Sequence, residues 1–272
     1  MEIMSIEESL KNRQDTLTIE EELPVQQVIG FPVTALSLGS QMSTILRWGK
    51  RHLSKVVCIA NVHMLVEGYQ NQQFASILKR ADLVAPDGMP LVWMLKHLGA
   101  VSQDRVAGLD VLESLCELAP QQGVSIFFLG SHRTILEKMR IRLNQDYPTL
   151  DIAGMEPLPF RPMSAEEDEA IIQLLNDSGA GIVLVSLGCP KQELWMANHK
   201  DKVNAVMIGL GGAFPVYAGI HKRAPAWIRG AGLEWLYRLA QEPRRLWKRY
   251  ASTIPVFLWL AGKQLLMARR AS

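Results

Sequence analysis

The chain has 272 residues, 48% of them hydrophobic and 21% charged, with a formal net charge of +2. That is enough for one large domain or two small ones, and too apolar for a disordered chain. Its three cysteines (Cys58, Cys116 and Cys189) lie far apart and supply neither a zinc spacing nor a disulfide framework, which fits a reducing compartment.

The opening stretch, MEIMSIEESLKNRQDTLTIEEELPVQQ, is polar and acidic with no apolar run inside it. Residues 1–25 are expected to be a loose segment and not a secretory signal. From about residue 28, short apolar runs alternate with amphipathic segments. Strands are predicted at VIGFPV (28–33), KVVCIA (55–60), DLVA (82–85), VSIFFL (124–129), LDIAG (150–154), GIVLVSL (181–187) and NAVMIGL (204–210). Helices are predicted near 40–52, 63–80, 89–98, 108–121, 132–146, 165–177 and 190–199. Apolar strands separated by helices imply an α/β fold, with a mainly parallel sheet covered on both faces. This body is expected to span residues 26–220.

Residues 221–272 break the rhythm. They hold eleven Lys and Arg against two acids, Glu234 and Glu242, a net of +9 that leaves −7 on residues 1–220. Four of the seven tryptophans lie here: Trp227, Trp235, Trp247 and Trp259. Short helices punctuated by Pro225, Gly230, Gly232 and Pro243 are predicted first. Beyond them Leu246, Tyr250, Ile254, Phe257, Ala261 and Leu265 recur at steps of three or four, one apolar helical stripe that Pro255 should kink. The uncharged run from Tyr250 to Gly262 has 13 residues, short of the roughly 20 that a bilayer span needs. Two readings stand: a core helix on the sheet, or an interfacial membrane helix, which the dense basic residues favour. An acidic body with a basic, Trp-rich tail implies an anionic partner, such as a lipid surface or phosphates.

In open parallel sheets ligands bind at the carboxyl ends of the strands. Five signals fall there: Asn61, Asp87, Gly130-Ser131, the run Gly188 to Glu193 that contains Gln192, and Gly211-Gly212. Asp87, in APDGMP, is either a turn residue capping the next helix or a general base beside a cleft. Arg105 either binds a phosphate or carboxylate or pairs with a surface acid. His63 either lines the cleft or serves the start of a helix. GLGGAF (209–214) lacks the full dinucleotide fingerprint. There is no Asp-x-Asp and no H-E-x-x-H, so no dedicated metal site is expected.

The ordered blocks GFPVTALSL, ANVHMLVEG, ADLVAPDGMPLVW, RVAGLDVL, FFLGS, SLGCPKQELW, GLGGAFPVYAG and KRAPAWIRGAGLEWLYRLAQEPRRLWKRY together resemble the WecG/TagA/CpsF family of bacterial glycosyltransferases, glycosyltransferase family 26. The resemblance runs from Gly30 to about Tyr250. It implies a Rossmann-like α/β domain with a helical C-terminal membrane-docking appendage. It implies an inverting, metal-independent transfer from a UDP-sugar to a polyprenyl-diphosphate-linked saccharide, in the synthesis of bacterial surface polysaccharide. No cofactor and no nucleic-acid partner are implied. The enzyme would be cytoplasmic and peripheral, on the inner face of the cytoplasmic membrane, against an anionic surface. With no membrane present, the tail could instead bury itself in a homo-oligomer.

Carried over by motif, Asp87 is the expected base, and Asn61, Arg105, Gly130, Gly188 and Gln192 line the substrate cleft. Arg238, Arg245 and Lys248 are the expected cations for a diphosphate. Many members have Thr-x-Asn where this chain has Ile59-Ala60-Asn61, and Pro90 and Pro215 also depart from the pattern. The donor is therefore read as UDP-N-acetylmannosamine, UDP-glucose or a related hexose. Two other classes remain for comparison: a dinucleotide-dependent oxidoreductase, which leaves the basic tail unexplained, and a non-catalytic membrane-associated subunit of a polysaccharide assembly system.

Overall fold

The computed structural model describes residues 22–159 and 161–271. Most of the loose segment expected at 1–25 lies outside them. Six strands form one parallel sheet: β3 (Lys55–Ala60), β4 (Leu83–Pro86), β5 (Ile126–Gly130), β6 (Ile152–Glu156), β7 (Ile182–Ser186) and β8 (Val206–Gly209). Their order is β4-β3-β8-β7-β5-β6, and every neighbouring pair is parallel. Successive side chains point to opposite faces, so both faces carry a core. Val56, Cys58 and Ala60 of β3 join one apolar cluster, and Val57 and Ile59 join the other. That is why the strands read as unbroken apolar runs instead of alternating ones.

The strand expected over 28–33 is two half-strands. β1 (Val25–Val28) and β2 (Phe31–Thr34) form an antiparallel hairpin with Val28 opposite Phe31. Ile29 and Gly30 turn the chain with φ of 45° and 90°, the doubly positive pair that a type I′ hairpin turn requires. The hairpin lies along the β4 edge, where the Val84 N–H donates to Thr34 Oγ1 at 3.1 Å.

The covering helices are α1 (Leu38–Lys50), α2 (Val62–Gln70), α3 (Gln72–Arg80), α4 (Met89–His97), α5 (Gly108–Gln122), α6 (Arg133–Asp146), α7 (Ala165–Asp177), α8 (Lys191–His199) and the short α9 (Ala213–Tyr217). The single helix expected over 63–80 is split at Asn71, whose Oδ1 accepts from Phe74 N at 3.1 Å and caps the second half. Helix α7 begins where a capping box sets it: Ser164 Oγ accepts from Glu167 N–H, and the Glu167 carboxylate accepts from Ser164 N–H.

The tail forms α10 (Ala226–Gly230), α11 (Glu234–Gln241) and α12 (Pro243–Ala271). Helix α12 runs through Pro255 without ending. Its stripe is real: Leu246, Phe257 and Ala261 are buried, and the helix packs on α2. Near its far end Gln264 takes hold of the hairpin. The Ile29 N–H donates to Gln264 Oε1 at 2.7 Å, and Gln264 Nε2 donates to the Gln27 carbonyl at 2.5 Å. The uncharged run alone suggested a helix too short to cross a bilayer. The continuous helix is long and apolar enough to do so by length and composition, because Lys263 is the one charged residue between Tyr250 and Ala268. Only 17% of its most apolar 18-residue window is buried, so it is not a core helix.

Candidate active site

The carboxyl ends of β3, β4, β7 and β8 open into a cavity of about 640 Å³, roofed by the tail. Asp87 lies on its wall, one residue past β4. Its N–H donates to the Ala60 carbonyl at 2.7 Å, so the β3–β4 pairing continues one residue beyond the strand and fixes the Asp87 backbone. Gly88, not Asp87, is the N-cap of α4, and no side chain caps that helix. No hydrogen bond from a described residue reaches the Asp87 carboxylate. The turn-cap reading therefore has no contact behind it. Burial, and next the Glu234 carboxylate, push Asp87 up to about 6, against the pull of Arg105 and Arg238. A carboxyl in that range is ionised at neutral pH yet basic enough to accept a proton.

His63 is a second titratable group on this wall. Burial and then Arg249 lower it to about 4, so it is uncharged at neutral pH and a far weaker base than Asp87. Asn61 lines the cavity and also caps α2, with Oδ1 accepting from Met64 N at 3.2 Å. Ile59 stands on the same wall where a hydroxyl was expected in many relatives.

Arg105 is half-buried and held by two acids: Nη1 pairs with Glu234 of α11, and Nη2 with Asp110 of α5 at 3.3 Å. The same Asp110 pairs with Arg223, which also reaches Glu113 at 2.8 Å. These pairs clamp the tail onto the body at the rim of the cavity.

Gly188 and Gln192 line the cavity, but the Gln192 amide is committed. Its Oε1 accepts from Gly188 N–H at 3.1 Å, and its Nε2 donates to Glu193 Oε1 at 2.8 Å. Gln192 thus braces the turn after β7. Glu193 is fully buried beneath it, and burial raises its carboxyl above the usual range.

Two expected residues do not line the cavity. Gly130 ends β5 with φ 89° packed on β7, where an added Cβ would stand 2.7 Å from the Ser186 carbonyl oxygen. Its glycine is a packing requirement. Lys248 is exposed, with its ammonium over the Trp247 ring at 5.8 Å. The cavity face of α12 is carried by Arg245, Leu246, Arg249, Tyr250 and Thr253, and Lys248 falls off that face. Arg249 is the residue that the sequence reading passed over. Its Nε is buried and meets no partner among the described residues, and burial lowers its affinity for its proton. The only sequence signal was its fit, three residues after Leu246 and four after Arg245, to the apolar stripe. Arg238 and Arg245 do line the cavity. Nη2 of Arg238 stands against the turn after β8, 2.6 Å from where a Cβ on Gly212 would be. Arg245 is also paired with Glu242 at 2.5 Å.

The site therefore joins one unbonded, basic carboxylate to several guanidinium groups from the tail, in an enclosure roofed by apolar side chains. Among the described residues no three His, Cys, Asp or Glu side chains converge as a metal site would need. The arrangement can take a proton from a hydroxyl and stabilise negative charge on phosphate oxygens.

Residues 26–271 match the family model described as "Glycosyl transferase WecG/TagA/CpsF family". The chain is 32% identical over 203 residues to an N-acetylglucosaminyldiphosphoundecaprenol N-acetyl-beta-D-mannosaminyltransferase of Bacillus spizizenii, covering 74% of this chain and 76% of that protein. It is 28% identical over 221 residues to the protein of the same name from Bacillus subtilis, covering 79% and 84%.

Proposed function

The chain belongs to the WecG/TagA/CpsF family and is a glycosyltransferase, and from that premise we propose that it transfers a hexose from a UDP-sugar to a saccharide carried on a polyprenyl diphosphate, with inversion at the anomeric carbon. The observation that carries this reading is Asp87: a carboxylate with no hydrogen bond from the described residues, raised to about 6, on the wall of a cavity it shares with Arg105 and Arg238. The two Bacillus relatives are named for an acceptor of this class and for N-acetylmannosamine as the sugar moved. Ile59 in place of a hydroxyl keeps glucose and related hexoses beside it as donors.

In this mechanism the acceptor hydroxyl oxygen attacks the anomeric carbon and its proton passes to Asp87. The bond from the anomeric carbon to the diphosphate oxygen breaks, and its electron pair leaves with UDP. Arg238 and Arg245 meet the charge that grows on that diphosphate, without a metal ion. Because these cations belong to the tail, transfer depends on the tail being seated. The exposed tryptophans and basic residues of the tail support action at the inner face of the cytoplasmic membrane.

The test is direct. Purified enzyme is given radiolabelled UDP-sugars and a polyprenyl-diphosphate-linked N-acetylglucosamine, and label entering the organic phase is counted. Labelled lipid from one UDP-sugar is expected. No labelled lipid from any UDP-sugar would overturn the reading.

A further inference from the structure

The cavity does not end at the arginines. Beyond Arg249 it continues as a mainly apolar lane, lined by Ile254, Phe257 and Ala261 of α12 and by Met89, Trp93 and Met94 of α4, with Thr253 and His97 its polar members. It reaches Leu265, which at 1.5 Å per residue is about 24 Å along α12 from Arg249. Trp93 and Leu258 line it while remaining 49% and 63% exposed, so the lane is open to the surface along its length. Its α12 wall is fixed, because the two Gln264 hydrogen bonds hold that end of the helix to the hairpin.

Along the cavity the chemistry comes in a set order: a basic carboxylate at Asp87, a guanidinium group at Arg249, then mainly apolar side chains. We propose that the lane holds the first isoprene units of the acceptor's polyprenyl chain, with Arg249 at the junction between diphosphate and hydrocarbon. A hydroxyl-bearing sugar, a diphosphate and a branched hydrocarbon follow one another in the acceptor in the same order. A phospholipid acyl chain would match the last two parts and leave Asp87 without a partner. This inference rests on the acceptor class proposed above.

The experiment compares two acceptors in detergent micelles, where bilayer docking plays no part. They share the same saccharide diphosphate and carry either a long polyprenyl chain or a single isoprene unit. The wild-type enzyme is expected to favour the long chain in kcat/KM by about tenfold or more, since even a few buried methylene groups reach that ratio. Leu258→Glu and, separately, Trp93→Glu, both at partly exposed positions, are expected to bring the ratio close to one. A ratio that survives both substitutions, or a wild-type enzyme indifferent to chain length, would overturn the lane. Transfer to neither acceptor would instead overturn the acceptor reading on which the lane rests.

A second arm needs no substitution. A diazirine-bearing polyprenyl acceptor is expected to label peptides spanning 89–97 and 250–265. If a diazirine-bearing phosphatidylglycerol labels the same peptides and the acceptor does not displace it, the lane belongs to bulk lipid and the proposal fails.

Discussion

Arg105, from the loop before α5, is bonded to Glu234 at the first turn of α11, so an ion pair ties the body to the tail at the rim of the cavity. Both partners are mostly shielded, with side-chain exposures of 14% and 30%. Replacing Glu234 with Gln leaves Arg105 with Asp110 alone. A loss of about 1–2 kcal/mol is expected, between the worth of an exposed and a buried pair, and is read from denaturant midpoints. Glu234 is also the largest charged contributor raising Asp87. The acid limb of the pH–rate profile of Glu234→Gln should therefore move to lower pH. An unmoved limb would detach Glu234 from the base.

The pH–rate profile of the wild-type enzyme should fall on the acid side with an apparent pKa near 6, the value of Asp87. His63, lowered to about 4, cannot supply that limb. Asp87→Asn should lower kcat by about 10²–10⁴-fold, the usual contribution of a general base. Its stability effect has the opposite sign. The folded chain holds the Asp87 proton more tightly than the unfolded chain, so the contribution of Asp87 to stability declines as pH rises from about 4 to about 6. At pH 7.5 Asp87→Asn is expected to melt at or above the wild-type temperature, and a large drop would mean a structural role instead.

Arg249 and Lys248 are neighbours in sequence and opposites in placement. Arg249→Ala should cost about 10²-fold in kcat/KM for the lipid acceptor, as loss of one partner of a desolvated charge pair does. Lys248→Ala should leave transfer to detergent-solubilised acceptor near the wild-type rate. Equal losses from the two would show that the tail acts through net charge and not through a placed guanidinium.

If arginines carry the diphosphate charge, chelation by EDTA should leave the rate of transfer unchanged. A rate that collapses with EDTA and returns with a divalent cation would assign that work to a metal ion.

Sedimentation with vesicles containing phosphatidylglycerol should pull down the enzyme at low salt and release it as salt rises, since surface attraction of Lys and Arg is screened. Trp259→Ala, at a residue 60% exposed on α12, should weaken binding with little effect on the melting temperature. Salt-resistant binding would mean insertion of α12 instead of adsorption.

Much of this was legible in the sequence because one signal dominated locally. The buried parallel strands announce themselves as apolar runs, and β3 and α7 fall at the predicted residues, the latter because Ser164 and Glu167 cap it. The hairpin was hidden because Ile29 occupies a turn position that isoleucine rarely takes, so the apolar run read straight through. Asp87, Arg105 and Gln192 were singled out and do line the cavity, yet only coordinates separate an unbonded carboxylate from an arginine shared by two acids and an amide already spent on bracing a turn. The choice between Lys248 and Arg249 turned on one residue of helical phase, finer than a stripe with gaps can fix. The membrane argument turned on counting an uncharged run where the structure supplies one continuous helix, in which Lys263 is the one charged residue between Tyr250 and Ala268.

Gln264 joins a late turn of α12 to the β1–β2 hairpin. On the ribosome the hairpin emerges early, and its Ile29 N–H and Gln27 carbonyl wait for a partner that is synthesised some 235 residues later. Arg105 likewise waits for Glu234, and Asp87 for the tail guanidinium groups. A nascent chain, or one cut short by proteolysis within α12, would hold the carboxylate without its full set of cations. On the proposed mechanism such a fragment would bear the fold of a transferase and remain silent, so the tail is also the stretch that arms the enzyme.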